Sequence, residues 1–280
     1  MPEGSHRGIN TWIIYLAVPA VALKYIPSVH WSNELLLPAA MPLIVWSGSW
    51  LTFFLYAKIK PIDTATRAAL TLTAGLGNTS FIGFPLVQGY YGDHALPIAV
   101  ICDQSSFMIM STLGAAMAMQ ASASGTAGAS AFLKKLLLFP PFIAFLAAII
   151  LPRFVDLSSI DPLFDKIALT LVPMALFSVG MQLSIDGWLE NITSLSIALS
   201  YKLVIAPAFF LILILALHLK GMIPTISLFE AAMAPMITAG VLAAQYQLNP
   251  KLANLVVGVG ILVSFITTAI WWLVTGLILI

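Results

Sequence analysis

Apolar positions run along this chain in blocks of about 20 residues, the length a helix needs to cross a bilayer. Nine blocks stand out, at roughly 10–27, 36–57, 65–91, 95–120, 131–151, 163–183, 193–217, 224–247 and 252–279. They predict an all-α membrane protein with nine spanning helices, joined by connections too short to hold a soluble domain. The Ala/Ser/Gly-rich stretch "QASASGTAGASA" has the composition of a flexible connector. It predicts a hinge-like linker at 121–130 between a first part, 1–120, with four spans and a second part, 131–280, with five.

One block is interrupted. In "GLGNTSFIGFPL", Gly75 to Leu86, the polar trio Asn78, Thr79 and Ser80 lies between Gly77 on one side and Gly83 and Pro85 on the other. Lipid satisfies no free N–H or C=O, so backbone unwound at this depth has to be buried in protein or line a polar cavity. Gly75 and Gly77 can end one half-helix, and Pro85 suits the first turn of the next. Asn78, Thr79 and Ser80 can then serve freed backbone groups or a ligand. A second break is expected at Pro235 in "AAMAPMITAGVLAAQ", with Thr238 and Gly240 one turn on, so the broken helices cover about 65–91 and 224–247. A proline alone reads as a kink, but Gly, Asn-Thr-Ser, Gly and Pro within one span read as a site. Two half-helices that aim their positive N-terminal ends at one cavity favour an anion such as a carboxylate.

Composition narrows the class. Only 8% of residues are charged and the mean hydropathy is +1.02, against about 25% charged in a soluble domain. The net charge of +1 offers no basic field for nucleic acid. Cys102 stands alone and excludes an intramolecular disulfide. Arg7, Lys58, Lys60, Arg67, Lys134, Lys135 and Lys251 fall on one side of the spans, and Lys24, Arg153, Lys166 and Lys220 on the other. The positive-inside rule then expects a cytoplasmic N-terminus and an external C-terminus. His30, His94 and His218 fall in loops without metal-ligand spacing. No nucleophile elbow, zinc-protease or P-loop motif is present, so no enzyme, metal or cofactor is expected.

A loose internal repeat is visible. "LAVPAVAL" around Pro19 matches "LVPMALFS" around Pro173, and Pro85 follows the first at a similar distance to that of Pro235 from the second. Two similar halves, each with an interrupted helix, are the pattern of inverted-repeat transporters.

"GNTSFIGFPL" resembles the fourth-helix crossover of the auxin efflux carrier family, which includes plant auxin exporters and bacterial permeases. "GINTWIIYLAVPAVAL" resembles that family's second helix, and "MAPMITAGVLAAQYQLNPKL" its ninth-helix crossover and the loop to the tenth. The resemblance implies two inverted five-helix repeats, a mobile transport domain against a scaffold, and elevator-like alternating access. It puts Asn78 and Pro85 on the first crossover, Pro235 on the second, and Gln104 on a supporting position of the fifth helix. The acidic residue that auxin-type members carry early in the third helix is not matched, since only Glu34 stands at the start of that stretch. The implied substrates are small organic anions such as malate or malonate, and the implied location is a bacterial inner membrane. Ten spans are usual in that family, so nine predict that its first helix is missing here, leaving a scaffold-side groove open to lipid or to a second copy in a homodimer.

Ionisable groups within spans default to functional roles. Asp103 is a candidate for coupling to a proton or cation or for a structural carboxylate, Lys202 for neutralising an anion or snorkelling, and Glu230, five residues before Pro235, for facing the cavity or the outer surface. A secondary transporter is the leading expectation. A sodium-coupled symporter of the bile-acid carrier type and a non-transporting receptor or scaffold are the alternatives.

Overall fold

The computed structural model describes residues 5–28, 32–122, 138, 140–156, 159–182 and 189–279. Apart from Ala121 and Ser122, the linker expected at 121–130 lies outside them. The described residues are almost entirely helical, and each of the nine apolar blocks contains a helical run. In chain order these are α1 (5–28), α2 (Asn33–Ile59), α3 (Thr64–Gly75), α4 (79–91), α5 (Asp93–Ala121), α6 (Pro140–Arg153), α7 (Asp161–Ala168), α8 (Leu171–Gln182), α9 (Ile192–Ala216), α10 (Met222–Ala231), α11 (Ile237–Gln245) and α12 (Pro250–Ile278). Helices α2, α5, α9 and α12 are each long and apolar enough to cross a membrane. The pairs α3–α4 and α10–α11 are the two broken helices.

The helices pack in two groups. Helices α2 to α5 and α9 to α12 form the larger, with α2 against α3, α5 and α10, and α12 against α3 and α11. Helix α1 packs on α6, α7 and α8 in the smaller. An apolar core joins the groups, with Val18 and Val21 of α1, Ala148 of α6 and Leu171 of α8 in one cluster with Phe84, Ala99 and Phe229.

Polar contacts between helix ends sort the connections onto two faces. Asp63 caps α3 by accepting from the Thr66 N–H at 2.6 Å, and Asn249, left-handed at φ 48°, caps α12 by accepting from the Leu252 N–H. Asn249 also donates to Thr66 Oγ1 at 2.9 Å, which ties the starts of α3 and α12 together on one face. On the opposite face the Gly221 N–H donates to the Leu279 carbonyl, and Lys24 of α1 pairs with Asp165 of α7 at 2.6 Å.

Proline interrupts α9 at Pro207, which has no N–H for the Leu203 carbonyl one turn back. A wide turn over Tyr201–Ile205 absorbs the distortion, and the Trp271 indole of α12 donates to that freed carbonyl at 2.8 Å. The donor is needed because lipid supplies none.

Close approach sets the second break. Pro235 packs on Gly260 of α12, where an added Cβ would stand 2.6 Å from two ring carbons of the proline. Gly260→Ala is therefore expected to cost about 1–3 kcal/mol by overpacking. It should lower the melting temperature in detergent, and an unchanged melting curve would contradict this packing.

Candidate functional site

The two broken helices meet at their breaks. Helix α3 ends at Gly75, and Leu76 is extended, at φ −118° and ψ 131°. Met236 is extended as well, at φ −70° and ψ 125°. The segments run antiparallel, with Gly77 opposite Pro235. The Asn78 N–H donates to the Ala234 carbonyl at 2.8 Å, and the Met236 N–H donates to the Leu76 carbonyl at 3.0 Å. Each break thus supplies the partners that the other has lost. Glycine at 77 and proline at 235 suit this pairing, because Lys202 Nζ comes within 3.2 Å of where a Cβ on Gly77 would sit.

Helix resumes earlier than the position of Pro85 suggests. It restarts at Thr79 with a wide turn to Gly83, in which the Gly83 N–H donates to the Asn78 carbonyl at 2.9 Å. Asn78 is the N-cap, its Oδ1 accepting from the Phe81 N–H at 3.2 Å. Pro85 is buried one turn further on and lies away from the crossing. Asparagine can cap the helix directly, so the first turn needs no proline.

A cavity of about 240 Å³ lies against the crossing. Asn78, Ser80, Asp103 and Thr238 form its polar wall, joined by Asn10 of α1. Phe81, Phe107, Met236 and Val241 add apolar surface, and Ile14, Val18 and Pro141 close the side formed by α1 and α6. The N-terminal turns of α4 and α11 both border this space, the first through Ser80 and Phe81 and the second through Ile237 and Thr238. Since Asn78 Oδ1 is engaged by a backbone N–H, the other amide atom is Nδ2, and it has no partner among the described residues.

Within this wall Asp103 is held in place by its neighbours. Thr79 Oγ1 donates to Asp103 Oδ1 at 2.6 Å, and Gln104 Nε2 donates to Oδ2 at 3.3 Å. Gln104 therefore acts through Asp103 and does not line the cavity.

Neither Lys202 nor Glu230 lines the cavity. Lys202 is 1% exposed, and its Nζ donates at 2.8 Å to the carbonyl of Ala231, the last residue of α10. An ammonium there complements the negative end of the half-helix and satisfies a carbonyl that the break would orphan. Glu230 is fully buried beside Gly83, where a Cβ would stand 2.5 Å from Oε2. Gly83 is thus a clearance position for Glu230, while Gly240 clears Val257 and Asn254 of α12. Of the positions singled out from sequence, Asn78, Ser80, Asp103 and Thr238 share the cavity. Thr79, Gly83, Pro85, Gln104, Lys202, Glu230, Pro235 and Gly240 do not line it.

Asn10 was missed. It is the one polar side chain that α1 brings to the cavity, and it accepts a hydrogen bond from Ser178 of α8. Its only signal was an amide at the start of an apolar run, which reads equally well as a helix start.

An all-helical chain with membrane-length spans and a polar cavity at two crossed helix breaks defines a membrane transporter. The chain belongs to the membrane transport protein family, the auxin efflux carrier family, which it matches over residues 1–272. It is 25% identical over 280 residues to an uncharacterized transporter of Methanocaldococcus jannaschii, covering 97% of this chain and 90% of that protein. A second uncharacterized transporter, from Methanothermobacter thermautotrophicus, is 22% identical over 266 residues, covering 94% of this chain and 87% of its own. The family is one of membrane transport and not of enzymes.

The capping role of Lys202 predicts that Lys202→Met destabilises the protein by about 1–3 kcal/mol, the cost of orphaning a buried polar group. The melting temperature in detergent should fall. A variant that melts with the wild type would show that the Ala231 carbonyl needs no lysine.

Proposed function

We propose that this protein is a secondary transporter of small organic anions, carboxylates foremost, and that it binds them at the helix crossing. The observation that carries this reading is the convergence of two half-helix N-termini on one cavity. The positive dipole ends of these half-helices favour a carboxylate without any basic side chain in the wall. The free Asn78 amide and the Ser80 and Thr238 hydroxyls add neutral polar contacts. At about 240 Å³ the cavity is smaller than the roughly 300–1,000 Å³ of drug-sized sites, which favours acids of a few carbons over sterol-sized substrates.

The cavity has one wall from each group of helices: α1 and α6 on one side, the crossing on the other. Sliding of one group along the other would carry the site between the membrane faces, which is the elevator-like movement we infer. In this reading residues 1–120 and 131–280 are inverted repeats. One parallel supports it: after each broken helix the chain turns through a left-handed residue, Gly92 at φ 86° and Asn249 at φ 48°. The distribution of Lys and Arg supports an orientation with the N-terminus cytoplasmic and the C-terminus outward, in the bacterial inner membrane that the family resemblance implies.

Asn78→Ala removes an amide from the cavity and should abolish carboxylate uptake into proteoliposomes while the protein keeps its folded elution peak. Full transport by the folded variant would contradict the site. Coupling rests on Asp103, whose carboxyl shares the wall with the anion. When deprotonated it repels the anion, so affinity should fall as pH rises through its titration. Asp103→Asn removes the charge and should flatten that pH profile. An unchanged profile would leave Asp103 a positioning role alone.

Coupling to sodium is a second reading that one observation favours. Both carboxylate oxygens of Glu230 are buried with no hydrogen-bond partner among the described residues, and a bound cation would satisfy them. Replacing sodium by choline should then stop uptake, whereas uptake that persists in choline removes this reading.

A further inference from the structure

A second concave surface, larger than the cavity at the crossing, lies elsewhere among the described residues. A groove of about 870 Å³ runs between α2, α3 and the end of α5. It lies within the larger group of helices, away from the scaffold-side surface where an open groove was expected. Its walls are Trp46, Trp50 and Phe54 of α2 and Leu113 and Met117 of α5. Trp50 is 49% and Leu113 44% exposed. Arg67, near the start of α3, stands at its mouth.

Depth and charge identify the occupant. Trp46 lies 13 residues before Ile59 on a continuous helix, about 20 Å at 1.5 Å per residue. The groove thus runs from one membrane face to somewhat more than the half-thickness of a hydrocarbon core of about 30 Å. Its deep part is mainly aromatic and aliphatic, with Ser47 and Thr71 among the lining residues, which suits an acyl chain. Its mouth is cationic: Arg67 is half-buried and has no ion-pair partner among the described residues. Lys58, in the last turn of α2, stacks 4.7 Å over the ring of Phe54, one of the groove walls, and Lys60 follows just past the end of that helix. The nearby carboxylate, Asp63, is committed to capping α3. A guanidinium at the mouth of an apolar slot matches a phosphate bidentately, and basic pockets between spanning helices hold anionic lipid headgroups. A partner helix would fill the apolar part but bring no counter-ion to Arg67, whereas a lipid phosphate supplies one.

We propose that this groove is a binding site for one anionic phospholipid of the adjoining leaflet, with its phosphate on Arg67 and an acyl chain along Trp50 and Leu113. The site is separate from the crossing, since the two cavities share no lining residue.

Native mass spectrometry of the whole protein in mixed micelles of phosphatidylglycerol and phosphatidylcholine tests this. The wild type should retain phosphatidylglycerol about fivefold over phosphatidylcholine, the preference one basic contact supplies. Arg67→Gln should bring the ratio close to one, while Arg67→Lys keeps part of it. Leu113→Trp fills the slot and should lower retention of both lipids, which also decides the matter if Arg67→Gln does not fold. Glycerol phosphate, a headgroup without chains, should displace nothing. Equal retention of the two lipids by the wild type would overturn the proposal. So would an unchanged preference in Arg67→Gln, unchanged retention in Leu113→Trp, displacement by glycerol phosphate, or a lipid-free dimer as the main species.

Discussion

A backbone amide at membrane depth has no solvent partner, and everything around the crossing follows from that. The breaks after Gly75 and after Ala231 would each be untenable alone. They are tolerated together because the Asn78 and Met236 N–H groups donate across the crossing to Ala234 and Leu76. Lys202 then takes the Ala231 carbonyl left at the end of α10, and Asn78 caps α4 with its own side chain. Once these groups are paired, the turns that remain open are the first turns of α4 and α11. Both border the same cavity, so the structural solution to two broken helices also leaves a polar cavity with two half-helix starts on its wall.

Packing holds the arrangement close enough to work. Gly260 admits the Pro235 ring and Gly83 admits the Glu230 carboxylate, each at distances that a Cβ would forbid. Around this rigid centre the smaller group of helices contributes only one cavity wall, through α1 and α6. The groove at Arg67 faces lipid elsewhere on the larger group, so substrate and lipid would occupy separate surfaces.

Much of this was legible in the chain because glycine, proline and polar residues punctuate an otherwise uniform apolar text. The nine helical runs, both breaks and the polar character of Asn78, Ser80 and Thr238 follow from residue type and spacing. Pairing between breaks was harder to place. Pro85 looked like the first turn of a half-helix, but a capping Asn78 starts that helix at Thr79, and a local competition between cap and proline is not decided by spacing. Lys202 and Glu230 were visible as buried charges, but whether a side chain faces a cavity or the rear of a crossing depends on the rotation of its helix. That rotation is set by tertiary contacts such as the Trp271 indole on the carbonyl freed by Pro207. Asn10 was the least legible, since its role arises only when α1 docks beside α8.

The central claim is that an anion sits where the two half-helices begin, and cysteine accessibility at Thr238 tests it most directly. Thr238→Cys in a Cys102→Ala background places the sole thiol in the cavity wall, where a water-soluble maleimide should label it. A small dicarboxylate such as malonate should slow that labelling, while the uncharged diamide of the same shape should not. Equal protection by acid and diamide, or none by a panel of small carboxylates, would contradict an anion site at the crossing.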